Sequence, residues 1–355
     1  MINFAKRLDN LRELMNNEGL DAFYINGNAN VSYFTGKKGD DCSLYIRHDS
    51  AYIITDFRYQ EMAESLKWLK VCLTDGKTKL IDIISSFDDK VVGIEKDYLP
   101  LSAYLDFTKN LVRKEFKTVA GLVESLREVK DEDEIEYTKK ACSIANSAFL
   151  YMLGFIKPGM REIDCAAELE YYLKKHGAED VSFDTILISG QKTSMPHGVP
   201  NEDVIHNNSF VTIDFGCKYN GYCSDMTRTF AFGQITEEMK QVYSVVLKAQ
   251  LAACDQIHAG MTGKEADSIA RDIIDDAGYG EYFGHSLGHG TGLEIHEIPR
   301  YSQGYNAIIK ENSIVSIEPG IYLPGKFGVR IEDLALVTKN GIINFVTAPK
   351  ELLII

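Results

Sequence analysis

The chain has 355 residues and reads as an α/β (α+β) protein in two parts, a small α/β domain followed by a larger, internally duplicated one. Three observations predict this. Short β-rich pieces alternate with helical patterns over the first third. A charged run, Glu124–Glu134 (ESLREVKDEDE), then lies between two apolar-periodic regions. Beyond it, an αα-then-β pattern occurs twice. The length alone already suggests two domains.

In chain order, Phe4, Leu8, Leu11 and Met15 mark one face of an amphipathic helix, with Gly19 as its C-cap. Strands are expected at Ala22–Ile25, Ser43–Ile46 and Ala51–Ile54. A helix is expected over Arg58–Leu69, a strand at Val71–Leu73, a helix near Lys79–Phe87 and a strand at Val91–Ile94. Strands alternating with helices make a small α/β domain. The boundary falls in the charged run, giving domains at 1–125 and 126–355.

The second part carries the duplication. Gly159-Met160 opens a helical segment that closes at Gly177, and Gly260-Met261 opens another that closes at Gly278. A helix precedes each. Cys142, Ala145, Phe149 and Met152 mark a face of the first; Val242, Val246, Ala249 and Ala253 mark a face of the second. Further on, Phe210–Gly216 (FVTIDFG) parallels Ile314–Gly320 (IVSIEPG). Each half therefore reads helix, helix, then a strand ending in a carboxylate, which predicts two halves related by a pseudo-two-fold axis.

Charge and cysteine usage narrow the class. With 38 Lys and Arg against 52 Asp and Glu, the net charge is −14, so nucleic acid and anionic membrane surfaces are not expected partners. No apolar run approaches the ~18 residues of a membrane span. The start, MINFAKRLDNLRELM, is broken by charges and is not expected to be a signal peptide. Seven scattered cysteines without a C-x-x-C pair suit reduced thiols in a cytoplasmic protein.

The carboxylates need an explanation. Val211, Ile213 and Phe215 alternate with Thr212 and Asp214. Asn220-Gly221 is a strong hairpin signal. A type I′ turn there puts Asp214 opposite Thr227 and Asp225 opposite Gly216, so the two acids are diagonal neighbours on one face. Val315 and Ile317 alternate with Ser316 and Glu318, and Val329 and Ile331 with Arg330 and Glu332. The duplication thus supplies two acid pairs, and like charges converging on one space call for a cation between them. The stretch Phe283–Glu297 (FGHSLGHGTGLEIHE) adds three histidines among four glycines. It is not H-E-x-x-H, and it has no lysine to suit a phosphate cradle. His197 lies in a loop between the first helix pair and the Asp214 strand.

Together these residues resemble the pita-bread metallopeptidases: methionine aminopeptidase, aminopeptidase P, prolidase and the metal-free creatinase branch. The likeness covers the whole chain. It implies a creatinase-like N-terminal domain, a pita-bread catalytic domain, and five metal ligands, Asp214, Asp225, His289, Glu318 and Glu332. By the same resemblance His197, His296 and Glu318 are catalytic, while His285 and Arg330 bind substrate in the proline-specific branch. Four carboxylates and a neutral imidazole balance two divalent cations; oxygen-rich ligation favours Mn²⁺, with Co²⁺, Fe²⁺ or Zn²⁺ as alternatives. The implied activity is hydrolysis of the Xaa-Pro bond at a peptide N-terminus or in a dipeptide, with Glu318 moving the proton of the attacking water and His296, with His197, steadying the oxyanion. The implied partners are a peptide with proline in second position and a second copy of the chain. A methionine aminopeptidase is the alternative, against which the N-domain, His285 and Arg330 count. A metal-free creatinase-like relative or binding module is another, which the five intact ligand positions disfavour.

Overall fold

The computed structural model describes residues 2–355. Its contacts divide the chain into two compact units, Met1–Arg127 and Glu128–Ile355.

In the first unit a six-stranded mixed sheet runs in the order Lys70–Leu73, Ala51–Thr55, Ser43–Arg47, Ala22–Ile25, Val91–Glu95, Glu115–Val119. Tyr24, Tyr45, Ile54, Val92 and Ile94 bury against Ile83, Ile84 and Phe107 of the covering helices. The first helix spans Phe4–Glu18 and stops at Gly19, in the left-handed conformation that glycine adopts without penalty. The helix expected over Arg58–Leu69 is far shorter. Asp56 accepts from the Arg58 amide and tightens Phe57–Tyr59 into a 3₁₀ turn, and α-helix covers only Gln60–Ser65. Trp68 then stacks on Phe4 with ring centroids 4.4 Å apart and donates to the Phe34 carbonyl, which carries the chain away from the helix axis.

The second unit repeats itself. Helices Glu132–Phe155 and Glu162–Lys175 are matched by Glu237–Gln256 and Gly263–Asp276. The link between the helices of each pair makes the same short backbone exchange with a later segment. Gly159 N donates to Ile205 O and Ile205 N to Met160 O; Gly260 N donates to Ile309 O and Ile309 N to Met261 O. Each pair has its own apolar core. The strands between the cores feed both. Val211, Ile213 and Phe215 face the first core and Phe210 the second. Leu334 and Leu336 face the first, Ala335 and Val337 the second. A strand with period 2 between two helical layers reads apolar on both faces. Against that rule, Thr212, Asp214, Ser316, Glu318, Arg330 and Glu332 mark where the two layers part.

The hairpin register is the one the Asn220-Gly221 turn predicts. Both residues have positive φ, 48° and 82°, as type I′ requires, and Asp214 pairs with Thr227.

The charged run is not a solvated linker. Arg127, Glu128, Lys130 and Glu134 are all buried. Glu134 forms a capping box with Asp131 and accepts from the Tyr222 hydroxyl at 2.9 Å. Glu128 pairs with Lys310 at 2.6 Å.

Beneath the second-unit sheets Asp333, wholly buried, accepts from Arg228 at 2.7 Å, Lys350 at 2.6 Å, Gln250 at 2.8 Å and Asn344. Burial opposes its charge, but Arg228 and Lys350 hold its carboxyl below the ordinary range. Asp333→Asn would leave the buried Arg228 cation uncompensated. It is expected to cost about 3–5 kcal/mol, read as a lower urea midpoint; a loss under about 1 kcal/mol would show that the remaining acceptors suffice.

Candidate metal centre

Each acid sits at a strand end. Asp214 is next to last in Ser209–Phe215, and Asp225 precedes Met226–Phe232. Glu318 follows Ile314–Ile317, and Glu332 precedes Asp333–Thr338. Equivalent strands of the two halves therefore deliver equivalent carboxylates. His289 lies in the short strand Gly288–Gly290, paired with the Ile314–Ile317 strand.

Asp225, His289 and Glu332 bring ligand atoms within 4.8 Å of one another. His289 Nε2 is 3.6 Å from Asp225 and 3.3 Å from Glu318. The Gly290 carbonyl, 3.0 Å from Nδ1, accepts a hydrogen bond from Nδ1–H, which leaves Nε2 as the nitrogen turned toward the acids. Nε2 thus meets two carboxylates, and a proton or a metal cation between them satisfies all three. Asp214 Oδ1 is buried with no hydrogen-bond partner among the described residues. Burial, then the charges of Glu332, Asp214 and Glu318, drive the Asp225 carboxyl well above its ordinary range. Burial, then Glu318 and Asp214, do the same to Glu332. Burial also raises Asp214, against the nearby Arg330 charge. Glu318 differs: burial opposes its charge, yet the His289 hydrogen bond and the charges of His289, His285 and Arg330 hold it at about 2. An orphaned oxygen, an imidazole nitrogen aimed at acids and carboxyls pushed toward neutrality are the marks of a site built for divalent cations, so the donor set fits them.

Neutral side chains orient the donors. Thr227 donates to Glu332 at 2.6 Å, and Ser316 donates to Glu318 at 3.0 Å and accepts from the His289 amide. Arg330, buried, spreads its fork over several acceptors: Asp214, the Tyr322 hydroxyl at 2.7 Å, Thr227 at 3.1 Å and the Pro196 carbonyl at 3.3 Å. Tyr322 accepts from Arg330, so its single proton goes to His285 Nε2, 3.0 Å away, while His285 Nδ1–H meets the Ser286 carbonyl at 2.8 Å. Burial lifts the Tyr322 hydroxyl to about 12 and lowers His285, which keeps both in these forms. Asp214, Arg330, Tyr322 and His285 thus make one chain of hydrogen bonds.

His296 stands beside the cluster, its ring 4.4 Å from that of His289 at 72°. Burial and the neighbouring His289 and Arg300 lower its pKa, leaving a neutral ring. His197 is exposed, close enough for its charge to act on His296, and follows Pro196, whose carbonyl meets Arg330. The fold brings to this region eight of the residues that the family resemblance singles out, Asp214, Asp225, His289, Glu318, Glu332, His285, His296 and Arg330; it does not single out Thr227, Ser316 and Tyr322 as site residues.

Residues 136–339 match metallopeptidase family M24, and residues 7–129 match the creatinase/prolidase N-terminal domain. The chain belongs to metallopeptidase family M24, the pita-bread peptidases, and carries the N-terminal domain of the creatinases and prolidases; it is a hydrolytic enzyme. It is 40% identical to an Xaa-Pro dipeptidase of Pyrococcus furiosus over 98% of this chain and 99% of the relative. An Xaa-Pro dipeptidase from Bacillus anthracis superposes with a TM-score of 0.96 at 40% identity, covering 99% of this chain and 100% of that one. An X-Pro aminopeptidase from Thermotoga maritima superposes at 0.89 with 38% identity over 95% and 98%. Among the described residues no helix is long and apolar enough to cross a membrane.

Proposed function

We propose that this chain is a dinuclear metal-dependent exopeptidase that hydrolyses the Xaa-Pro bond at the N-terminus of short peptides and in dipeptides. The observation that carries it is the cluster of Asp225, His289 and Glu332 within 4.8 Å, with Glu318 on the same imidazole. Asp214, Asp225, His289, Glu318 and Glu332 would hold two divalent ions, Mn²⁺ before Co²⁺, Fe²⁺ or Zn²⁺, since hard cations match oxygen donors. When bound, such a pair acidifies a water and polarises a carbonyl.

The chain's own groups do the rest. Glu318, whose carboxyl stays ionised, accepts the proton of the attacking water and passes it toward the departing proline nitrogen. His296, neutral, donates an N–H to the tetrahedral oxygen, with His197 at the mouth of the site. His285 and Arg330 lie along the side that receives proline, tied together through Tyr322. In this reading the N-terminal domain is residues 1–125 and the catalytic domain residues 126–355. A cytoplasmic homodimer completes it; seven free cysteines suit a reducing compartment.

Product analysis on Ala-Pro and Ala-Pro-Ala with added Mn²⁺ tests the assignment, and no turnover of either would end it. Arg330→Ala separates the two substrate classes. The Arg330 fork is occupied by Asp214, Tyr322 and Pro196, so it orients the site rather than meeting a terminal carboxylate. Both peptides are therefore expected to lose kcat/KM alike, by about 10- to 100-fold. A loss confined to Ala-Pro would instead make Arg330 the carboxylate clamp of a strict dipeptidase.

A further inference from the structure

The loop that carries His296 is wrapped around a buried carboxylate. Glu297, the next residue, is 8% exposed. Its Oε1 accepts from the Glu294 amide at 3.1 Å, and its Oε2 accepts from Lys130 Nζ at 3.0 Å. The same carboxylate packs on Gly292, where a Cβ would fall 2.6 Å from it, so a larger residue there would push the carboxylate aside. Gly292 in turn donates to the Glu294 carbonyl and accepts from the Cys223 amide. The His296 ring itself has no hydrogen-bond partner among the described residues. Apart from its packing on the His289 ring, its place is set through its backbone, and the backbone is shaped around Glu297.

Lys130 supplies the charge that makes this possible. Its side chain is 1% exposed, and its own amide is fixed to the Asn312 carbonyl at 2.9 Å. A lone buried carboxylate would protonate or swing out to water, and a lone buried ammonium is no better off. Each ion offsets much of the cost of burying the other. Neither residue belongs to the metal cluster, and no spacing or motif in the chain singles either one out.

We propose that Lys130 and Glu297 are positioning residues, an ion pair that fixes the Thr291–His296 loop and so aims His296 at the scissile bond; this rests on the role of His296 given above. Lys130→Met is expected to lower kcat on Ala-Pro by about 10- to 100-fold, as loss of an orienting partner does, with KM and bound metal nearly unchanged. Hydrogen exchange at the Glu294 amide should speed up, while the strand Ile314–Ile317 stays protected. Lys130→Arg keeps the cation and should recover most of the rate and the protection. Glu297→Gln, nearly isosteric but without the charge that holds Lys130, covers the case in which Lys130→Met does not fold; it should loosen the side chain, speed exchange at the Glu294 amide to a smaller extent and give a smaller fall in kcat. Unchanged exchange at Glu294 in folded Lys130→Met or Glu297→Gln overturns the inference whatever the peptide assay gives. So does faster exchange with wild-type kcat in an enzyme that His296→Ala cripples. If His296→Ala itself retains wild-type kcat, the assigned role of His296 fails instead, and aiming it has no consequence for the reaction.

Discussion

Stripping divalent ions from the protein is expected to abolish Xaa-Pro hydrolysis, and Asp225→Asn is expected to remove most of it even with metal in excess. The reason is electrostatic. Four carboxylates converge on one buried space, and two of them, Asp225 and Glu332, are driven well above the ordinary carboxylate range chiefly by burial and then by neighbouring carboxylates. Two unit charges 4 Å apart interact by about 4 kcal/mol at an effective dielectric constant of 20, so repulsion among four acids exceeds what folding can spare. Two divalent cations cancel it. Asn at position 225 removes one unit of that charge and one oxygen donor aimed at His289. Metal analysis should find two ions per saturated chain and fewer in the variant. Ala-Pro cleavage should vanish with a chelator and return with Mn²⁺ or Co²⁺. Full activity in metal-stripped protein would end the dinuclear assignment.

Much of this site is legible in the sequence because period and register carry it. The Asn220-Gly221 turn by itself fixes which residue faces Asp214, and Thr227 is the residue paired there in the fold. The duplication makes the second acid pair follow from the first. What periodicity does not carry is harder to read. Tyr322, Thr227 and Ser316 are neutral residues on strands, and only the third dimension shows that their hydroxyls bridge Arg330, Glu332 and Glu318. Lys130 and Glu134 sit in a run of charges that resembles solvated surface, yet both are buried because partners distant in sequence, Glu297 and Tyr222, wait for them. In the first unit the strand Glu115–Val119 escapes a reading by hydrophobic pattern. It is a sheet edge, only partly buried along its length, so its apolar residues need not alternate cleanly. The helix at Gln60–Ser65 falls short of its apolar pattern because a tertiary contact, Trp68 on Phe4, outweighs local propensity.

His296→Ala is expected to lower kcat by about 10²–10³-fold with little change in KM, the signature of a donor that acts in the transition state. Three features support that size. The ring lies 4.4 Å from the His289 ring, hence beside the metal cluster rather than at its rim. Burial first, then the His289 and Arg300 charges, lower its pKa, so at neutral pH it offers an N–H without adding another cation to a site meant for metal. The ring has no hydrogen-bond partner of its own among the described residues, so its loss breaks no hydrogen bond that holds the fold. The alternative is a packed loop histidine, which would show as lower thermal stability with kcat intact. A variant within about threefold of the wild-type kcat would remove His296 from the mechanism, because one lost oxyanion donor costs about 2.7–4 kcal/mol. His296→Gln sharpens the distinction: its amide keeps a neutral donor on a side chain of similar reach. It should recover part of the rate if donation is the role and none if only the imidazole's shape matters.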